Sequence, residues 1–362
     1  MVLPLGTPIE EIPVRLKLYE KCRYERASKI QEFSRVVGKD YNDGPPIDAN
    51  KFTAYNFGHD EWDYSSQKFR EFLLETKPTV FRRNPVGFGP MPGPRQDVLG
   101  NAYDGSGSTF KTASIKFRTS RTLLQNLFPT RQFKFSSPAT NVLATFSVAT
   151  LNNLEWLGGK GYSYFGLYIH GVEYEGKDGK ITKGDYLPIL FEDLADPILS
   201  GREELGMPKL WSELNVQHEN GSGEWRMTAG WLGEQFSTMR ISELEEATGQ
   251  GSPSLVAKDE GLLWYKYIPG SGIVAHEEKV RQADAEYAMF LPYAEEAKVQ
   301  KTVERMWKGK GSIEFDALDA KKLPTLHYIV DRLAEIPVYE VVEAKIAAGR
   351  GVSDVGSALR IL

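Results

Sequence analysis

Apolar positions recur at two different periods along this chain. Between Glu20 and Val37, Ile30, Phe33, Val36 and Val37 return near helical spacing and Gly38 follows, so a helix ending at the glycine is expected. Phe165, Leu167 and Ile169 alternate within Ser163 to Val172, the period of a half-buried strand, and Lys177-Asp178-Gly179-Lys180 then offers a hairpin turn. Trp225 to Trp231 alternates likewise, and Leu262 to Ile268 is aromatic and strand-like. Near the end, Leu326, Ile329, Val330 and Leu333 mark one face of a short helix over Pro324 to Glu335, and Val338 to Ile346 reads as a last strand. Strands outnumber helices, which predicts an α+β fold, mainly antiparallel β, in which a sheet or barrel carries accessory helices.

Residues 1–105 have a different texture. Gly44-Pro45-Pro46 and the run Asn84 to Pro94 hold so many breakers that long regular elements are not expected there. The Gly-, Ser- and Asp-rich stretch Gly100 to Ser108 is the candidate boundary. The organisation expected is an N-terminal extension, 1–105, packing on a β domain, 106–362. Gly159-Lys160-Gly161 and Gly309-Lys310-Gly311 lack the third glycine of a dinucleotide loop and read as turns.

Charge and composition narrow the function. Lys and Arg total 44 against 49 Asp and Glu, a formal net charge of -5, so neither a nucleic-acid nor an anionic-membrane footprint is present. Aromatic residues make up 12%, enough for a deep apolar pocket or a β-rich core. Cys22 is the sole cysteine, which leaves no intrachain disulfide and no cysteine-based zinc site. No leader-like start or membrane-length apolar run occurs, so a cytoplasmic protein is expected. His59, His170, His218, His276 and His327 are scattered without ligand spacing, and no metal is expected.

Lys209 stands out by its surroundings. Met207-Pro208 precede it and Leu210-Trp211 follow, so an amine here loses solvation and is driven toward its neutral, nucleophilic form. A neutral amine can attack a ketone, and the resulting protonated imine accepts the electrons of a breaking carbon–carbon bond.

The wider stretch carries a family pattern. Lys183-Gly184-Asp185-Tyr186, then Gly201-Arg202-Glu203, and after four residues Pro208-Lys209, resembles the acetoacetate decarboxylases, in which the lysine of this signature is the nucleophile. Weaker likeness runs in order over roughly 110–350. The resemblance implies a cone-shaped antiparallel β-barrel with the lysine in an apolar cavity, a homo-oligomer, a small-molecule carbonyl substrate, and neither metal nor organic cofactor. Activation of the lysine by burial or by a cationic neighbour is the known device of acetoacetate decarboxylase itself.

Candidate roles follow from it. Lys209 would be the nucleophile, Arg202 and Glu203 would orient or charge the site or brace the turn before it, and His170 or Glu173 would move protons. Phe165, Met207, Leu210 and Lys111 are candidate substrate contacts. The chain departs from the family pattern where a second lysine usually follows the nucleophile (here Leu210). It departs again where a strand glutamate is expected (Phe165 or His170) and where an arginine should hold the substrate carboxylate (near Lys111). A lyase of the decarboxylase, aldolase or dehydratase type on a keto acid is expected. The alternatives are a non-covalent cyclase or isomerase, and a barrel that binds a hydrophobic small molecule.

Overall fold

The structure is a computed structural model that describes residues 2–38, 48–77, 79–218, 223–247, 260–271, 283–293, 301–352 and 355–362. Gly44-Pro45-Pro46 and His276 lie outside the described residues. The chain divides into two compact units, Met1–Pro92 with Gln96–Asn101, and Gly93–Arg95 with Ala102–Leu362.

The first unit is helical. Helix α1 (Ile12–Val37) begins earlier than its apolar period suggests, because Pro13 fits the first helical turn, where no N–H partner is needed. Helices α2 (Ala49–Phe57) and α3 (Glu61–Thr76) overturn the expectation that breakers exclude long elements from this region. The breakers cluster on either side of 49–76, and Asp48 and Asp60 cap the two helices by accepting from the N–H groups of Lys51 and Asp63. Val2, Leu18 and Cys22 form the unit's small core against Tyr64, Phe69 and Phe72.

The second unit is one large sheet with few helices. Its strands are β1 (Thr109–Ser120), β2 (Phe133–Phe135), β3 (Asn141–Leu154), β4 (Lys160–Glu175), β5 (Ile181–Glu192), β6 (Lys209–Trp211) and β7 (Glu213–His218). They continue with β8 (Trp225–Trp231), β9 (Glu234–Glu246), β10 (Gly261–Pro269), β11 (Ala283–Pro292), β12 (Thr302–Phe315), β13 (Glu340–Arg350) and β14 (Leu359–Arg360). The main path runs β14-β11-β10-β5-β4-β3-β1-β13-β12-β9-β8-β7, with β2 on β4 and β6 on β5. Pairing is antiparallel except where β5 meets β6 and β10. Among the described residues β14 and β7 do not pair with each other, so the sheet stays open rather than forming the closed barrel expected.

Alternation along the central strands separates two environments. Ile115, Phe117, Phe146, Leu167 and Ile169 face the main core, which also takes Val330 and Leu333 of the helix His327–Ala334. Their neighbours on β1, β3 and β4 face the opposite side and line a cavity. Gly309 and Gly311 are not turn residues; both lie inside β12. A Cβ on Gly311 would stand 2.8 Å from Ala344 and from Ile115, so the glycine lets three strands close over one layer of the core. Gly311→Val is therefore expected to lower the unfolding free energy by ~1–3 kcal/mol in urea titration, through overpacking.

Candidate active site

Lys209 opens β6, which pairs in parallel with the end of β5 so that Leu190 stands beside it. The segment before it bends tightly. The helix Ala195–Ser200 widens into a π-type turn over Gly201–Leu205, and Gly206 ends it at φ 69°. Three side chains hold this turn. Lys266 of β10 donates to the carbonyls of Glu203 and Glu204, both at 3.0 Å, and Trp264 donates to that of Leu205 at 2.9 Å. Arg202 reaches forward to donate to the Lys209 carbonyl at 2.8 Å.

The turn presses directly on the lysine. A Cβ on Gly201 would lie 2.5 Å from Lys209 Cδ and Cε and 2.8 Å from Nζ. The glycine of the Gly-Arg-Glu run is thus the floor against which the lysine side chain lies.

Lys209 is only 7% exposed, and its ammonium position has two partners. It donates to the Pro197 carbonyl at 3.1 Å and pairs with Glu192 Oε1 at 2.8 Å. Glu192, at the end of β5, is 1% exposed; its Oε2 is buried and has no hydrogen-bond partner among the described residues. Burial pushes the Glu192 carboxyl up despite Lys209, and burial pushes the Lys209 amine down despite Glu192. Both directions favour transfer of one proton across the pair, which removes two charges from a poorly solvated place.

Around the pair lies a cavity of about 530 Å³. Arg95, ion-paired with Glu204, brings a guanidinium to it, and its charge adds to the lowering of the lysine's pKa. Tyr162, Tyr164, Tyr168, Leu190, Leu205 and Met207 supply much of the wall. Further along β4, His170 lies in the same cavity, with Thr145, Asp185 and Tyr293 around it.

Among the residues singled out from sequence, Lys209, His170 and Met207 line this cavity, and the others do not. Phe165 faces the main core, 6.1 Å from the Phe191 ring, because odd positions there point away from the cavity. Leu210, next to Lys209 on β6, packs against that core too. Lys111 lies off the cavity wall, with its amine 5.9 Å from the Trp307 ring centroid. Glu173 lies 3.7 Å from Lys134 and outside the lining. Arg202 braces the turn, and Glu203 is exposed, contributing its backbone carbonyl. The groups missed were Glu192, Arg95, Glu204, Asp185 and Tyr293. Asp185 stood within the Lys-Gly-Asp-Tyr run; Glu192 and Arg95 had no local pattern to mark them. Among the described residues no cluster of His, Cys, Asp and Glu could hold a metal ion, and no helix is long and apolar enough to cross a membrane.

Residues 91–352 match the family model described as Acetoacetate decarboxylase (ADC). The chain belongs to the acetoacetate decarboxylase family. A solved acetoacetate decarboxylase shares its fold: it is 16% identical with a TM-score of 0.51, covering 79% of this chain and 97% of that one. The acetoacetate decarboxylase of Legionella pneumophila is 17% identical with a TM-score of 0.48, covering 76% of this chain and 97% of that one. The enduracididine biosynthesis enzyme MppR, solved with pyruvate, is 12% identical with a TM-score of 0.46, covering 70% and 89%. No curated protein matches the chain.

Membership of the acetoacetate decarboxylase family makes this a relative of small-molecule enzymes. Within that family pattern the expected strand glutamate is absent, yet a carboxylate reaches the lysine from the neighbouring strand. Glu192 on β5 is the register partner of Tyr164 on β4. Gly201→Ala is expected to lower the unfolding free energy by ~1–3 kcal/mol in urea titration while leaving the far-ultraviolet circular dichroism unchanged, since the methyl group takes the space of the lysine stem.

Proposed function

We propose that this protein is a lyase that binds a keto acid as an imine on Lys209 and uses the protonated imine as an electron sink. The observation that carries this reading is the buried Lys209–Glu192 pair, 2.8 Å apart and opening onto the cavity. With the proton on Glu192, the amine is neutral and attacks the ketone carbon. Glu192 then returns that proton to the departing oxygen, so that water leaves as the iminium forms. Arg95 receives the substrate carboxylate. With a 3-keto acid, whose carboxylate is one carbon removed from the iminium carbon, cleavage of the bond between the carboxylate and that intervening carbon sends its electrons into the iminium and yields carbon dioxide and an enamine. Protonation of the enamine carbon and hydrolysis then release product and free lysine. Aldol cleavage would use the same sink with a different leaving fragment.

Burial favours this chemistry twice. It lowers the charge on the amine before attack, and it keeps water from quenching the carboxylic acid. The absence of a second lysine after Lys209 is consistent with burial, aided by Arg95, as the cause of the lowered amine pKa.

Borohydride reduction in the presence of pyruvate, acetoacetate and longer keto acids is expected to fix the substrate mass on the Lys209 peptide, and Lys209→Met to abolish the adduct. No adduct across the panel, with tight binding of apolar ligands retained, would point instead to the binding-barrel reading. The pH dependence of trapping gives a second check. The neutral amine fraction grows as pH rises through the lowered lysine pKa, and the carboxyl of Glu192 raises that pKa. In Glu192→Gln the trapping curve is therefore expected to move to lower pH, while its maximal rate falls by about 100-fold for want of the acid.

A further inference from the structure

Four side chains at the other end of the cavity form a continuous hydrogen-bonded chain. Tyr293 donates its hydroxyl proton to Asp185 Oδ2 at 3.0 Å, and His170 Nδ1 lies 2.8 Å from Asp185 Oδ1. His170 Nε2 lies 2.7 Å from Thr145 Oγ1. All four line the cavity that holds Lys209. Asp185 is 3% exposed and takes both of its neighbours as donors, which puts the histidine proton on Nδ1. Nε2 is then an acceptor and receives the Thr145 hydroxyl proton. The lone pairs of Thr145 Oγ1 are left as acceptors.

A donor stands beside this acceptor. Lys116 on β1 is the register partner of Thr145 on β3, and both line the cavity. No hydrogen bond or ion pair is seen for the Lys116 ammonium among the described residues. Its other register partner, Glu343, pairs with Lys345 at 2.6 Å. The local charges of Lys116, Lys345, Glu343 and Asp185 cancel, so the pole has no net call for an anion. A hydroxyl group satisfies both neighbours at once, accepting from Lys116 and donating to Thr145. A carboxylate would meet the Thr145 lone pairs with its own.

The two poles are far apart. Tyr164 stands opposite Glu192 at the lysine end, and Thr145 stands opposite Tyr168, four residues further along the same strand, on the order of 13 Å at strand rise. Between them the wall carries Tyr164, Tyr168, Leu190 and Leu262 together with Ser114 and Ser147.

We propose that the Thr145–His170–Asp185–Tyr293 chain, with Lys116, is a second binding pole that holds the terminal hydroxyl of an elongated keto acid whose carbonyl reaches Lys209. The lysine end of this assignment rests on the function proposed above; the hydroxyl end does not. Thr145 and Lys116 touch the ligand, and His170, Asp185 and Tyr293 are positioning residues that fix which way the Thr145 proton points.

The test is calorimetry with a medium-chain 2-keto acid ending in a hydroxyl, against the same acid ending in a methyl group. Wild type and Lys209→Met, which cannot form an imine, are titrated with both. The hydroxyl-ended acid is expected to bind about 10-fold more tightly in each. Thr145→Val and Asp185→Asn are expected to remove that preference while leaving affinity for the methyl-ended acid unchanged; Thr145→Ser keeps the hydroxyl and is expected to keep the preference. Equal affinities in both proteins, or a preference that survives Thr145→Val, overturn the proposal, as does a folded Thr145→Ser variant without it. Loss of borohydride trapping at Lys209 with the hydroxyl preference intact in Lys209→Met would remove the imine reading and leave the second pole standing.

Discussion

A lysine and a glutamate buried together 2.8 Å apart constrain the organisation of the β unit around them. Neither Lys209 nor Glu192 has the solvent that would make its charged form cheap, and each carries only part of its normal complement of partners. Removing one would leave the other as an uncompensated buried charge, which is a severe penalty. Keeping both, 2.8 Å apart, allows the pair to be neutral without losing its hydrogen bond. The fold therefore has to hold two short segments, the end of β5 and the start of β6, in one register, and the parallel pairing of these strands does so.

The turn from Gly201 to Gly206 is shaped by the same demand. Glycine at 201 lets the backbone lie against the lysine stem, and positive φ at Gly206 redirects the chain into β6. The carbonyls exposed by the π-type winding would be costly if left bare in a buried turn. Lys266 and Trp264 from β10 accept that task, and Arg202 ties the turn to the residue it positions. Arg202 thus acts on Lys209 through the backbone rather than through its amine.

Polar groups elsewhere in the cavity obey a related rule. Asp185 is as deeply buried as the core around it, and two donors satisfy it. The cavity thus carries buried, hydrogen-bonded polar groups at the lysine end and around Asp185, with aromatic, aliphatic and serine side chains between them.

Local patterns along the chain determined a good deal. The alternation at Phe165, Leu167 and Ile169 marked a strand and its buried face, and the breakers around 84–94 marked irregular chain. The Gly-Arg-Glu to Pro-Lys spacing identified the family and the lysine, because a tight turn against a buried side chain restricts residue types at fixed offsets. What remained hidden depended on contacts between distant segments. Glu192 is seventeen residues from Lys209 and sits in an apolar-rich run with nothing to distinguish it from the other acids. Arg95 lies among prolines and glycines that have no period at all. Phe165 and Lys111 looked suitable by position, yet the pleat turned Phe165 into the main core and Lys111 lies off the cavity wall, a matter that depends on register with β3, β5 and β13. Sequence marked several of the strands and drew attention to Lys209; the pairing of the strands decided that Glu192 and His170 share its cavity, because those neighbours are made by sheet register, while Arg95 comes from a turn outside the strands.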